Sequence, residues 1–311
     1  MTKLLLTRED LLSPSIQDKN AGNSGDLVKH TAYLALLREL ARTHDRGCHI
    51  VEAHGGKGVY VSAHRHLIAA RQLPGYRHSA LGLAQSACFD PSVGLGSIVN
   101  LRPGETAYAG SGVLHARAIR DGGASSLTLL DCDPGVRTVA DRVFGQPCFS
   151  TIRSRLRVDD PMGLSETMVL SQLKDGAFAA THVLHFDPFS FVMAQDHSAT
   201  RTLYRDIVRE CDASVHDGRL AAASLFFTWG SNGAAAREDL HGDGYLGGLP
   251  GGYRDLLASV DPTQRVVVRW CWELFFSLLV IVPRGLKAAT TRALEADVAW
   301  LTPQMREMDV C

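Results

Sequence analysis

The stretch CHIVEAHGGKGVY, Cys48 to Tyr60, decides how the rest of the chain is read. Its apolar opening, Ile50 and Val51, has the pattern of a buried strand, and the run ends in an acid, Glu52. Gly55, Gly56 and Gly58 follow. A turn so rich in glycine lets backbone N–H groups approach a ligand that side chains would hold off. At the carboxyl edge of a parallel sheet, such a turn is where an open α/β fold binds a nucleotide-like ligand. A tight strand-to-helix connection uses glycines too, so the loop by itself leaves both readings open.

A second apolar run, SLTLLD from Ser126, closes on Asp131. An acid there is placed to take two ribose hydroxyls, and Glu52 to accept from a ligand amine. No phosphate-gripping GxGxxG or Walker lysine accompanies the pair. That combination points to S-adenosylmethionine rather than to NAD or ATP.

With these residues in view, a resemblance emerges. AGNSGDLVKH (Ala21 to His30), EAHGGKGVY (Glu52 to Tyr60), YAGSG (Tyr108 to Gly112) and the pair Asp187-Pro188 stand in an order and spacing that resembles the bacterial 23S ribosomal RNA adenine-N6 methyltransferases. The similarity continues faintly through LLVIVP and the closing helix. It implies a class I methyltransferase fold: Rossmann-like, doubly wound, a mostly parallel seven-stranded sheet with an N-terminal lid and an inserted segment. It also implies S-adenosylmethionine contacts from Asn23, Lys29, His30, Glu52, His54, Gly55, Gly56, Gly58, Ser111, Asp131 and Asp160. Lys29 and His30 would close over the methionine part, unless they are simply a solvated first helical turn. Asp160 would face the adenine amine, unless Asp159 and Asp160 cap the helix near Ser165. On this reading residues 1–44 form an arm and lid helix. Residues 45–311 form the S-adenosylmethionine-binding domain, with an insertion at about 61–106.

Composition bounds the partners. Of 311 residues, 45% are hydrophobic and 21% charged, ordinary values for a globular protein, and no apolar run is long enough to cross a membrane. MTKLLLTRED is too short an apolar run for a signal peptide. Seven cysteines without a CxxC pair read as reduced thiols in a cytoplasmic protein. His64 and His66 lack a spaced third ligand, so they read as surface histidines and no metal is expected. The net charge of −1, from 32 basic and 33 acidic residues, argues against a nucleic-acid partner and for a small-molecule substrate.

In chain order, Thr7 and Asp10 resemble a capping box, and Asn23 or Ser24 caps a helix from Asp26 to about Thr43. Val61 to Thr106 shows no clear periodicity. Tyr108 to Gly112 precedes a helix, Val113 to Arg120. Asp133-Pro134 starts another helix after the second strand. Further strands are expected at Arg155–Val158, His182–Phe186, Leu220–Trp229, Val266–Arg269 and Ser277–Val282. Helices are expected at Ala199–Cys211 and Ala288–Trp300, with Gly242–Gly252 as a loop.

Amino-group methyltransferases end the fourth strand in Asp-Pro-Pro-aromatic, where the acid and a backbone carbonyl align the target amine and the ring stacks on its base. Here Asp187 and Pro188 stand in place, with Phe189 and Ser190 at the next two positions. Asp187, Pro188 and Phe189 are the candidate catalytic residues, with Asp187 as a helix cap the alternative. Near the C-terminus, Arg269-Trp-Cys-Trp-Glu-Leu-Phe-Phe276 replaces an expected basic loop with aromatics, which are either core or the wall of a closed pocket.

Three activities stay open. One is N-methylation of a small amine. Another is cyclisation of S-adenosylmethionine itself, in which the α-amine attacks the γ-carbon, the carbon–sulfur bond breaks, and azetidine-2-carboxylate and methylthioadenosine form. The third is ribosomal RNA adenine-N6 methylation.

Overall fold

The computed structural model describes residues 11, 21–45, 47–90, 95, 101, 103, 105–131, 133–159, 166–187, 198–228, 256–272 and 275–311. The expectations placed on Thr7 and Asp10, Asp160, Pro188, Phe189, Ser190 and the Gly242–Gly252 loop lie outside the described residues.

The first helix, α1 (Ser24–Ala41), begins where Asn23 stops extended backbone and accepts the Asp26 N–H at 3.0 Å. Such a cap satisfies one of the orphan donors of a first turn. The helix has 18 residues, of which 14 are buried, so it is a core helix wrapped on nearly every side. Strand β1 (Cys48–Ala53) follows, then β2 (Val59–Ser62), α2 (Arg65–Gln72), α3 (Ala80–Cys88), β3 (Thr106–Ala109) and α4 (Ser111–Arg120). Next come β4 (Ala124–Leu130), α5 (Pro134–Phe144), β5 (Leu156–Asp159), α6 (Glu166–Lys174), β6 (His182–Phe186), α7 (Ser198–His216) and β7 (Ala222–Thr228). Strands β8 (Arg265–Cys271) and β9 (Phe275–Ile281), helix α8 (Lys287–Val298) and β10 (Glu307–Val310) complete the described order.

The main sheet runs β10-β8-β9-β7-β6-β1-β4-β5. The pairs among β5, β4, β1, β6 and β7 are parallel, and those that add β9, β8 and β10 are antiparallel. The sheet has eight strands rather than the expected seven, because Glu307–Val310 adds an edge to β8. Alternation along the strands splits the core in two. Ile50, Leu127, Val183 and Val266 face α1, α4 and α8, while Val51, Leu130, Leu184 and Leu225 face α6 and α7. Both faces of the parallel part are covered, as a doubly wound sheet requires.

Two of these readings gain detail and one needs correction. The segment 61–106, without clear periodicity in the sequence, is bounded by an antiparallel ribbon: Val59–Ser62 pairs with Thr106–Ala109, and α2 and α3 lie between them. His66 is not a surface residue. It is buried, accepts the Ser24 N–H on Nδ1 at 3.0 Å, and stacks on Trp272 with ring centroids 4.3 Å apart. It thereby ties α2 to the start of α1. The aromatic run near the C-terminus divides. Trp270 and Phe276 are core, stacked with Phe226 beneath Gly25, whereas Trp272 is only partly buried. Gly25 is required there, since a Cβ would lie 2.9 Å from Phe276 and 3.0 Å from Phe226.

Candidate active site

In an open α/β sheet the ligand crevice lies outside the carboxyl ends of the strands where the strand order reverses. Here that point is between β1 and β6: the chain runs outward to β4 and β5 on one side and to β7 on the other. The loop after β1 carries His54 to Gly58, Asp131 follows β4, and Asp187 follows β6. The sequence-predicted residues therefore converge on one edge of the sheet.

The loop after β1 is held by unusual backbone. His54, Gly56 and Gly58 have φ of 65°, 61° and 81°, the left-handed region that a non-glycine residue such as His54 seldom enters. Gly55 is demanded by packing, because a Cβ would lie 2.3 Å from Leu129. The N–H groups of Gly55 and Gly56 are not the open donors expected from the sequence. The first donates to the Leu130 carbonyl at 2.9 Å and the second to Asp131 Oδ2 at 3.0 Å. These glycines shape the turn and clamp it to β4. Lys57, fully buried, donates from Nζ to the Leu11 carbonyl and lies 5.4 Å from the centre of the Tyr60 ring. His54 sits edge-on to Phe186, and its Nδ1 is buried without a hydrogen-bond partner among the described residues.

Asp131 accepts one N–H on each oxygen, from Gly56 and, at 2.9 Å, from Asp133. Burial pushes its carboxyl above the ordinary aspartate range, with the two N–H donors opposing. Each oxygen keeps a lone pair, enough for a pair of hydroxyls.

Lys29 is the centre of a second group. Its ammonium lies 2.5 Å from Asp187 Oδ2, 2.9 Å from Asp26 Oδ1 and 4.8 Å from the centre of the Phe226 ring. Burial works against the charge, but Asp187 and Asp26 outweigh it and hold the lysine pKa well above its usual value. Asp26 in turn accepts the Gly22 N–H at 2.9 Å. Lys29 is thus no solvated first-turn residue. Nor is His30, which is buried, shares a 2.7 Å hydrogen bond between Nδ1 and the Tyr108 hydroxyl, and stacks on that ring. Burial, helped by the nearby Lys29 charge, pulls the His30 pKa down to about 3, so the ring is neutral near pH 7. Asn23 serves as the cap of α1.

Glu52 is 3% exposed and accepts from the Ser111 hydroxyl on Oε1 and from His115 Nδ1, at 3.0 Å, on Oε2. The register aligns Glu52 with His185 on β6 and His185 with Ser224 on β7, a polar row crossing an apolar face. His115 and His185 stack nearly parallel, 4.5 Å apart at 9°, and Tyr33 lies 3.9 Å from His185. His185 Nδ1 is hydrogen-bonded to Ser224 Oγ. None of His115, His185, Tyr33 or Ser224 was singled out from the sequence. The available signal was a polar residue set inside each of three apolar strands, which a buried sheet tolerates only when partnered. Among the described residues no group of three or more metal-ligating side chains comes together. No described helix is long and apolar enough to cross a membrane.

The strand order and the antiparallel return through β9 and β8 define the class: this is a class I methyltransferase fold, Rossmann-like and doubly wound. No protein-family model matches the chain, and no curated sequence does. Among solved structures, protein LPL1258 of Legionella pneumophila is similar over 94% of this chain and 97% of its own, at 14% identity and a TM-score of 0.57. A SAM-dependent methyltransferase of Agrobacterium tumefaciens is similar over 83% of this chain and 62% of its own, at 10% identity and a TM-score of 0.40. The methyltransferase domain of METTL16 covers 82% of each chain at 10% identity and a TM-score of 0.38. The first likeness extends the shared fold across nearly the whole chain; the other two are too distant to add to it.

Proposed function

We propose that the protein is an S-adenosylmethionine-dependent enzyme that alkylates an uncharged amine nitrogen on a small molecule. The donor set fits that cofactor. Asp131 has two free lone pairs for ribose hydroxyls, Glu52 is a buried carboxylate suited to an ammonium, and a strained loop lies between them. When bound, the cofactor supplies an electrophilic carbon next to a sulfonium.

The observation that carries the reading is Asp187 at the end of β6, held at 2.5 Å by Lys29. A carboxylate fixed there accepts an N–H of the acceptor and turns the nitrogen lone pair away from itself. Lys29 is shared between Asp187 and Asp26, so the group as a whole does not repel a cation. The attacking nitrogen must be neutral for a chemical reason: only an uncharged amine keeps the lone pair that attacks. Little acid–base chemistry is required; alignment and exclusion of water supply the rate. The near-zero net charge favours a small acceptor over RNA.

The test is to incubate the purified protein with S-adenosylmethionine, alone and with a panel of amines and 23S RNA, and identify the nucleoside released. Amine-dependent S-adenosylhomocysteine supports the proposal. Methyl incorporation into the RNA overturns the small-molecule acceptor. Methylthioadenosine released with no acceptor present replaces methyl transfer by intramolecular cyclisation.

A further inference from the structure

We infer that His115 is a positioning residue which, through Glu52, builds the seat for the ligand's ammonium group. The inference rests on the reading of Glu52 as the methionyl-amine acceptor, and it extends that reading to a residue on a different element.

The geometry leads there in three steps. A carboxylate oxygen only accepts, so the 3.0 Å contact to Glu52 Oε2 assigns the hydrogen to His115 Nδ1. His115 is fully buried and its Nε2 has no hydrogen-bond partner among the described residues, so a second ring proton would be stranded. The ring therefore acts as an Nδ1–H donor to Glu52. Glu52 is held by that donor and by the Ser111 hydroxyl, with no lysine or arginine in ion-pair reach among the described residues. A buried carboxylate oriented by two hydrogen-bond donors and without a lysine or arginine beside it still has room for a cation. The site next to it at the switch point offers one when an amino acid with a free ammonium binds.

The ring plane is set independently. His115 stacks at 4.5 Å and 9° on His185, which is fixed in register beside Glu52 and bound to Ser224 on the next strand. Helix α4 thus aims the Glu52 carboxylate using a template built on β6 and β7. Such indirect orientation resembles the way outer groups fix the ligands of a metal or catalytic site.

The experiment compares binding of S-adenosylhomocysteine and its deaminated analogue, which lacks only the α-amine, to wild type, His115→Phe, His115→Asn and Glu52→Gln. Wild type should prefer the amine-bearing ligand by about tenfold or more, the range of a hydrogen bond to a charged group. His115→Phe should lose most of that preference while binding the deaminated ligand as wild type does. His115→Asn, whose amide keeps a donor near the Nδ1 position, should retain most of it. A preference unchanged in His115→Phe overturns the inference. Equal binding of both ligands to wild type removes the ammonium seat but leaves S-adenosylmethionine binding standing. Binding of neither ligand removes both. Should His115→Phe fail to fold, nitrogen NMR of the wild-type ring decides: an Nδ1–H tautomer that persists when ligand binds supports the assignment, and a proton on Nε2 overturns it.

Discussion

The Lys29 ammonium and the Asp187 carboxylate meet at 2.5 Å across 158 residues of chain, joining the second turn of α1 to the end of β6. The two partners are unequally placed: the Lys29 side chain is 6% exposed and that of Asp187 28%. Asp187→Ala should cut turnover by a hundredfold or more, about 3 kcal/mol, and leave cofactor affinity nearly unchanged. Steady-state kinetics beside calorimetric binding would show it; a loss confined to binding would move Asp187 out of the chemistry.

Lys29→Met should damage the fold more than Asp187→Asn does. It leaves Asp26 and Asp187 facing one another without the cation they share, whereas Asp187→Asn leaves Lys29 its 2.9 Å contact with Asp26. Unpaired groups of this kind cost about 3–5 kcal/mol when fully buried, and less here because Asp187 reaches water. Denaturant titration of both variants ranks them, and equal losses would contradict the account.

Stability should fall as the medium is acidified below about pH 6.5. His30 has its pKa drawn from 6.5 to about 3 and His185 has its own drawn well below 6.5, both mainly by burial. Groups lowered in the folded state contribute stability that is complete above their unfolded values and is lost as pH falls toward the folded ones. Each contributes a slope of up to about 1.4 kcal/mol per pH unit in that window. Asp26, held below its ordinary 3.8 against the opposing effect of burial by Lys29 and His30, adds a further loss only under stronger acid. Replacing His30 by Asn should flatten the slope between pH 6 and 4 in urea melts; an unchanged slope would mean the ring titrates in the folded protein.

Asp131→Ala should weaken S-adenosylhomocysteine binding by about 1–3 kcal/mol, if the carboxylate holds two hydroxyls. The variant should also lose stability, since the N–H groups of Gly56 and Asp133 lose their acceptor. Asp131→Asn, which retains one oxygen, should recover part of the stability. Wild-type affinity in the alanine variant would take Asp131 out of the ribose site.

Gly55→Ala tests whether the glycine turn is dictated by packing. Its Cβ would lie 2.3 Å from Leu129, itself fully buried, so the substitution should destabilise by about 1–3 kcal/mol. The double variant Gly55→Ala with Leu129→Ala should lose less than the sum of the two single changes. Strict additivity in thermal melts would show that the clash is relieved elsewhere.

Much of this arrangement was legible in the sequence because it depends on short-range pattern. The His182–Phe186 strand and the Asp133-Pro134 helix start coincide with β6 and α5, and Asn23 caps α1 as read. Glu52, Asp131 and Asp187 share one sheet edge because each ends a parallel strand, a relation that strand order alone supplies. What escaped depends on pairing between distant segments. The β2–β3 ribbon joins Val59–Ser62 to Thr106–Ala109, and nothing local announces the match. The Glu52–His185–Ser224 row exists only through register, and β10 is a four-residue strand whose alternation, Met308 and Val310 with Glu307 and Asp309, is too short to mark it. His66 reads as polar surface until Trp272 and the start of α1 close over it.

That late strand bears on how the molecule behaves in a crowded solution. Both outer strands of the sheet, β5 and β10, are four residues long and carry charge: Arg157 pairs with Asp159 on one, and Arg269 reaches Asp309 on the other at 2.8 Å. Short charged rims discourage a second chain from adding to a sheet. Beyond β10, Cys311 and Val267 exchange both backbone hydrogen bonds, at 2.8 and 3.0 Å. Trimming Glu307–Cys311 would uncover β8, a seven-residue strand with Val266, Val267 and Val268 in a row. The shortened protein would then present a long, apolar, unpaired rim, and self-association rather than loss of the candidate site would be its first defect.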